Sequence, residues 1–237
     1  MRLLVTRPEP DGARTAATLR ALGHVAVVAP VLRTEAVAAD FGDGPFAALV
    51  ITSGNAARAV LSHPRRNELA GLPVFAVGAR SAVVAREAGF SDVVSAEGDV
   101  NDLVSLLAAR FAGQGARLLH LAGEDRAGDL AGGLATRGIA VETAVVYRAV
   151  PAGTFPVQFR AALAAGPLDG VLHYSRRSAS AFLAGAEAAG LLEPAIAAQH
   201  FCLSAEVAAP LTQAGARNVQ VAPAPDEASL IALLSPL

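Results

Sequence analysis

Hydroxyl and guanidinium side chains gather where apolar runs give way to helix-forming runs. Thr6 and Arg7 follow Leu3–Val5. Thr52, Ser53 and Asn55 follow Ala48–Ile51, and Gly78 and Ser81 follow Val74–Val77. Gly123 and Arg126 follow Leu118–Leu121. Ser175, Arg176, Arg177 and Ser178 follow Val171–Tyr174, and Tyr147 with Arg148 ends the run from Ile139. A serine or threonine at such a junction can accept from the free N–H groups of the first helical turn, a cap worth about 1 kcal/mol. Several junctions on one edge also form an anion site, because that end of each helix carries partial positive charge. Arginine strengthens the case, since its planar fork takes a carboxylate through two parallel bonds. The chemistry expected is recognition of an anionic ligand.

Other chemistries are excluded by residues the chain lacks. All 19 basic residues are arginine. Without lysine there is no Schiff base, no pyridoxal-phosphate attachment and no P-loop lysine. A single cysteine, Cys202, excludes an intramolecular disulfide and any multi-cysteine metal centre. His24, His63, His120, His173 and His200 show no metal-type spacing. His120 and His173 stand in strands, where packing is the first reading and ligand contact the second. No Gly-x-Gly-x-x-Gly follows a strand, so neither a dinucleotide cofactor nor a metal is expected. The net charge of −2 argues against a nucleic-acid partner. No apolar run reaches the ~18 residues of a membrane span, and Met1–Pro10 lacks a signal-peptide core. A cytoplasmic globular protein is expected.

These junctions need a scaffold. Strands are predicted at Leu3–Thr6, Val25–Ala29, Ala48–Ile51, Val74–Val77, Asp92–Val94, Leu118–Leu121, Ile139–Val146, Val171–Tyr174, Phe201–Leu203 and Val219–Ala222. Helices of about ten residues are predicted between them, which is the alternation of parallel α/β layers. The order of the strands cannot be read this way. An internal repeat is visible. Ile51-Thr52-Ser53-Gly54-Asn55-Ala56-Ala57 resembles His173-Tyr174-Ser175-Arg176-Arg177-Ser178-Ala179. Gly78 and Ser204 each precede a closing glycine by eleven positions, and Leu19–Gly23 matches Leu134–Gly138. The fold class expected is α/β, with two similar parallel-sheet α/β domains. Pro30–Thr34 and Val145–Pro151 are candidates for a two-strand linker, leaving a cleft between the domains.

The same residues resemble bacterial uroporphyrinogen-III synthases. The likeness runs through Leu3-Leu4-Val5-Thr6-Arg7-Pro8, Ile51–Ala56, Ala76-Val77-Gly78 with Ser81-Ala82, Leu119–Arg126, Val145–Arg148 and Tyr174–Ala179. It implies a discontinuous first domain, Met1–Arg33 plus Val150–Leu237, and a second domain, Thr34–Ala149. It implies a cofactor-independent lyase that closes linear hydroxymethylbilane to uroporphyrinogen III with inversion of ring D. That reaction feeds haem, sirohaem and cobalamin synthesis. The substrate carries eight carboxylates, and a transient contact with the preceding pathway enzyme is implied. Tyr147 becomes the candidate catalytic residue. Thr6, Arg7, Thr52, Ser53, Asn55, Gly78, Ser81, Gly123, Arg126, Ser175, Arg176, Arg177 and Ser178 become candidate substrate contacts. Ser204-Ala205-Glu206-Val207 departs from the family pattern of glycine followed by threonines, and Glu206 there would repel a polyanion. The alternative is a non-catalytic anion-sensing or binding module on the same scaffold.

Capture by arginine predicts a salt effect. Exposed charges are screened beyond ~8 Å at physiological ionic strength. Substrate affinity is expected to fall as salt is raised, checked by KM across a salt series. A flat series would count against arginine–carboxylate capture.

Overall fold

Most strands are short apolar runs that hand on to a helix, several of them headed by a small or capping residue. The computed structural model describes residues 1–126, 128–152, 157–166 and 168–234. Residues 153–156, 167 and 235–237 of the expected first domain lie outside the described residues, as does Ala127 of the second. The chain divides into two compact units, Met1–Arg33 with Val150–Leu237, and Thr34–Ala149. In order, the elements are β1 (Arg2–Val5), α1 (Asp11–Ala21), β2 (Val25–Val28), β3 (Leu32–Ala36), β4 (Ala48–Ile51), α2 (Gly54–Ala59), α3 (Arg66–Ala70), β5 (Val74–Ala76), α4 (Ala79–Glu87), β6 (Val93–Ser95) and α5 (Val100–Phe111). Then come β7 (Arg117–Gly123), α6 (Leu130–Ala135), β8 (Ala140–Pro151), α7 (Val157–Ala164), β9 (Gly170–His173), α8 (Arg176–Ala188), α9 (Leu192–Ala197), β10 (His200–Cys202), α10 (Ala205–Gln213), β11 (Val219–Val221) and α11 (Glu227–Ala232). The short helices α3 and α9 and the strand assignment of Leu32–Ala36 extend the predicted set.

Unit 1 holds a sheet of order β11-β10-β9-β1-β2, and the second sheet has order β3-β8-β7-β4-β5-β6. The pairings of β1 with β2 and β9, and of β10 with β9 and β11, are parallel. So are those of β4 with β5 and β7, β5 with β6, and β7 with β8. Parallel strands need crossover helices, so both faces are covered and the strands read as continuous apolar runs. In β4, Leu49 and Ile51 point into a core with Ala56 and Ala57 of α2 and Val84 and Ala85 of α4. Ala48 and Val50 point the other way, toward Leu103, Leu107 and Phe111 of α5 and Leu130 and Leu134 of α6. Each such large side chain contributes about 1.5–3 kcal/mol by leaving water. The start of α5 is fixed by a capping box: Asp99 accepts from the N–H of Asn101 and Asp102, while Asp102 accepts from that of Asp99.

The repeat seen in the sequence is a repeat of structure. Strands β9, β10, β1 and β2 occupy in unit 1 the places that β4, β5, β7 and β8 occupy in unit 2. Ser53 and Ser175 head α2 and α8 with φ of −149° and −151°. Gly78 and Ser204 head α4 and α10 with φ of −154° and −156°. The helices α4 and α10 are followed by Gly89 at φ +86° and Gly215 at φ +95°, conformations that favour glycine.

The face of the unit 1 sheet under α8 carries a pair of histidines that the sequence spacing did not announce. His173 on β9 and His200 on β10 have no exposed surface. Nε2 of His173 lies 3.1 Å from Nδ1 of His200, and Phe182 of α8 meets the His173 ring edge-on at 5.3 Å. Burial pushes His200 down to about 4, outweighing the nearby backbone groups of Ala195 and Ile196. Burial, and then the His200 ring, hold His173 well below its usual range. Burial also pushes the Cys202 thiol up to about 12, so it stays protonated and packs as a small apolar group.

Two neutral buried histidines make the fold acid-sensitive. In the unfolded chain they take up protons near pH 6.5, while in the folded chain they resist. Stability is therefore lost as pH falls from about 6.5 toward 4, by up to about 1.4 kcal/mol per pH unit for each histidine. The melting temperature is expected to start falling near pH 6.5, above the carboxylate range. A melting temperature constant down to pH 5 would contradict it.

Candidate active site

Parallel pairing places the carboxyl ends of β4, β5, β7 and β8 of unit 2 along one edge of the sheet. Thr52 and Ser53 stand just beyond β4. Ser53 caps α2 by accepting from the N–H of Asn55 at 3.2 Å, and Asn55 in turn accepts from Arg58 at 3.0 Å. Gly78 heads α4 without a side-chain cap, and Ser81 is buried in the first turn of that helix. Thr52 Oγ1 lies 3.3 Å from Nε2 of His120 on β7. His120 is only 4% exposed, yet its ring lines a recess of about 150 Å³ with Thr52, Arg126, Asp129 and Thr143. Burial, reinforced by the positive charge of Arg126, pushes His120 down to about 4, so it is neutral at neutral pH.

Tyr147 reaches the same edge through a break in the ladder. Strands β7 and β8 are in register from Arg117↔Ala140 to Ala122↔Val145, and then Gly123 pairs with Tyr147. Val146 is the extra residue of a bulge, a device that re-aims the side chain after it. The Tyr147 ring consequently lies over Gly123, where a Cβ would fall 2.6 Å from the ring carbon Cζ and 2.8 Å from the hydroxyl oxygen. Among the described residues, no group is hydrogen-bonded to that hydroxyl. The ring packs against the core cluster around Leu119 and Leu121 and is half-buried.

In unit 1 the corresponding edge carries Thr6, Arg7, Tyr174, Ser175, Arg176, Arg177 and Ser178. Ser175 and Ser178 form a capping box at the start of α8, with the Ser178 N–H donating to Ser175 Oγ at 3.1 Å. Arg176 and Arg177 occupy its first turn, which has no acidic residue. A helix prefers anions there, so two cations at that end favour a bound anion. Thr6 departs from the expected capping role: it is fully buried and donates to the carbonyl of Leu172 at 2.9 Å, joining β1 to β9. Ser81 also departs from that role, being buried inside the first turn of α4 and not at its cap.

Arg7 has internal partners. Its guanidinium donates to Glu227 at 3.3 Å, pairs with Asp11 at 3.6 Å and stacks on Tyr174 at 4.6 Å. Glu227 at the start of α11 also accepts from Arg14 at 2.6 Å, from Thr15 at 2.5 Å and from the Tyr174 hydroxyl at 3.1 Å. Burial works to raise the Glu227 carboxyl, but the bonds from Thr15 and Arg14 and the charges of Arg7 and Arg14 outweigh it and hold the carboxyl below its usual range. Residues 7, 14, 15, 174 and 227 are scattered in sequence, so this network carries no sequence signal. At the recess, packing is the first sequence reading of His120, and nothing in the spacing of Thr143 or Asp129 marks them. Ser204 caps α10, and Glu206 stands exposed in its first turn.

Two units of mostly parallel sheet, each with hydroxyls and arginines ranged beyond its strand ends, define the class as an α/β protein. The family model described as "Uroporphyrinogen-III synthase HemD" matches residues 13–232, and the chain belongs to that family. Its members are lyases that cyclise hydroxymethylbilane in tetrapyrrole biosynthesis. Among solved structures, the chain is similar to uroporphyrinogen-III synthetase from Helicobacter pylori, with TM-score 0.66, 20% identity and 98% of each chain covered. It is also similar to a mutant uroporphyrinogen III synthase from the extremely thermophilic bacterium Thermus thermophilus, with TM-score 0.51, 19% identity and 98% and 96% covered. At that identity the likeness speaks for the fold. No curated protein sequence matches the chain. Among the described residues, no helix is long and apolar enough to cross a membrane, and no cluster of three or more metal-ligating groups occurs.

The Gly123–Tyr147 contact yields a direct test. Gly123→Ala puts a methyl where the phenol ring lies, an overpacking that costs about 1–3 kcal/mol. The ring is expected to move, with lower turnover and a lower melting temperature. The chain has two tyrosines and no tryptophan, so tyrosine emission reports the move. Unchanged emission and melting would remove the constraint.

Proposed function

We propose that hydroxyls and arginines beyond the strand ends receive the carboxylate arms of hydroxymethylbilane, and that Tyr147 is the acid that assists loss of its terminal hydroxyl. The observation that carries this reading is the bulge in β8, which leaves the Tyr147 hydroxyl at the rim with no hydrogen-bond partner among the described residues. Hydroxide is a poor leaving group. A phenol ordinarily titrates near pH 10, so it keeps its proton at neutral pH and can deliver it as the C–O bond breaks. Water departs, and the pyrrole N–H proton is lost as the azafulvene forms. The substituted α-carbon of the ring at the other end of the chain then attacks the azafulvene methylene to give a spiro intermediate. That intermediate breaks the bond from this carbon to the neighbouring ring's methylene, which rejoins at the ring's unsubstituted α-carbon, so the macrocycle closes with that ring inverted and the α-hydrogen leaves as a proton.

Arg126, Arg176 and Arg177 are assigned to substrate carboxylates. Thr52, Ser53, Asn55, Gly78 and Ser175 are assigned to the rims that receive them. Thr6, Ser81 and Ser178 support these rims from within, and Arg7 does so through its pairing with Glu227. Loss of water from a preformed linear chain calls for no redox group, and the proposal includes none. The open-chain substrate closes spontaneously to the type I isomer. Direct transfer from the enzyme that makes it would limit that loss, so a transient contact with that enzyme in the cytoplasm belongs to the proposal.

The test is separation of type I and type III uroporphyrinogen after incubation with freshly made hydroxymethylbilane. Type III is expected; type I alone would leave an anion-binding module. Tyr147→Phe keeps the ring and removes the donor. Turnover is expected to fall by about 10²–10⁴-fold with melting unchanged. A stable variant with full turnover would reduce Tyr147 to packing.

A further inference from the structure

The recess beside β7 is lined by Thr52 and Arg126, already assigned to the substrate, and by His120 and Thr143, which the proposed reaction has not yet used. Its floor is His120, with Thr143 level with it on β8, and its walls are Thr52, Arg126 and the residues from Gly128 to Ala131. Its volume of about 150 Å³ corresponds to about five waters at ~30 Å³ each. That is room for a short carboxylate-bearing arm. Asp129 also lines it, but that carboxylate is engaged in capping α6, accepting from the Gly132 N–H at 2.9 Å. Arg126 supplies a positive charge at the mouth, and Thr52 and Thr143 supply hydroxyls.

We propose that this recess seats one carboxylate arm of the tetrapyrrole substrate, and that His120 is the positioning residue that turns the Thr52 hydroxyl toward it. The proposal rests on the cyclase reading above and adds where one arm goes. With its proton on Nε2, His120 donates to Thr52 Oγ1 across the 3.3 Å contact. The threonine O–H is then free to donate to a carboxylate oxygen, while Arg126 neutralises the charge. Burial and the Arg126 charge keep the ring neutral, so it contributes direction and no net charge. His120 does not itself touch the reacting atoms, so its loss acts on binding.

Steady-state kinetics on five variants test this, with folding followed by melting. In His120→Phe the ring volume stays and the donor goes. KM is expected to rise by roughly 5-fold, the scale of one neutral hydrogen bond, with kcat within about 2-fold. In His120→Gln the amide falls near the position of Nε2 and recovers most of the loss; in His120→Asn it falls near Nδ1 and recovers none. In a Thr52→Val background, His120→Phe adds nothing further, because the hydroxyl it orients is gone. An unchanged KM in His120→Phe, equal behaviour of the Gln and Asn variants, or additive effects with Thr52→Val would each overturn the proposal. If His120→Phe fails to fold, the Gln and Asn pair decides alone. A wild-type chain that makes only the type I isomer would overturn the cyclase reading and the subsite with it. Type III formation alongside any of those kinetic failures would overturn the subsite alone.

Discussion

Parallel strand pairing is the constraint on which the rest depends. A parallel neighbour cannot be reached by a tight turn, so each strand must hand over to a crossover helix. Every handover between β4, β5 and β7 and their helices then falls on one edge of the sheet, as it does for β1, β9 and β10. Free helix N–H groups, capping hydroxyls and the first residues after each strand accumulate there without any long-range instruction. Ligand sites at the carboxyl ends of α/β strands follow from this geometry. The chemistry of this chain is what it places on those edges: hydroxyls, arginines and the phenols of Tyr147 and Tyr174.

Much of this is legible in the sequence because it is local. Ser53 and Ser175 can be found as caps since a cap is settled within three residues, and Ala48–Ile51 can be found as a strand since its burial is continuous. The small and matching features of the two halves survive as a repeat for the same reason. What is not legible depends on pairs far apart. Glu227 closes on Arg7, Arg14 and Thr15 from the other end of the chain. His173 meets His200 only because β9 and β10 are neighbours. The bulge that turns Tyr147 over Gly123 is a mismatch between two strands, and neither strand reveals it alone.

Charge shows the same division. Arg7, Arg126, Arg176 and Arg177 all stand beyond strand ends, as their sequence positions suggest, but position does not disclose employment. Arg7 is drawn into a network with two carboxylates and an aromatic face. Arg126 sits at a recess, where its charge adds to the burial that keeps a neighbouring imidazole from charging. An arginine near a ligand site can thus serve the ligand, the fold or another side chain. Only the partners within a few ångströms tell these apart, which is why net charge and loop position stop short of function.

The pairing of β1 with β9, in which Leu3 lies level with Gly170, sets a timetable for synthesis. Strand β1 leaves the ribosome before its neighbour β9, and the whole of the second unit lies between them. At roughly 5–20 residues per second that is an interval of about 8–33 s. The intervening stretch, Thr34–Ala149, is continuous and has all it needs to close while β1 and β2 wait. The nascent chain therefore carries a finished unit and an unfinished one, in which Leu3, Leu4 and Val5 can pair with β2 but still lack their partners on β9. A message truncated after Ala149 loses β9, β10 and β11 of the first unit while sparing the second.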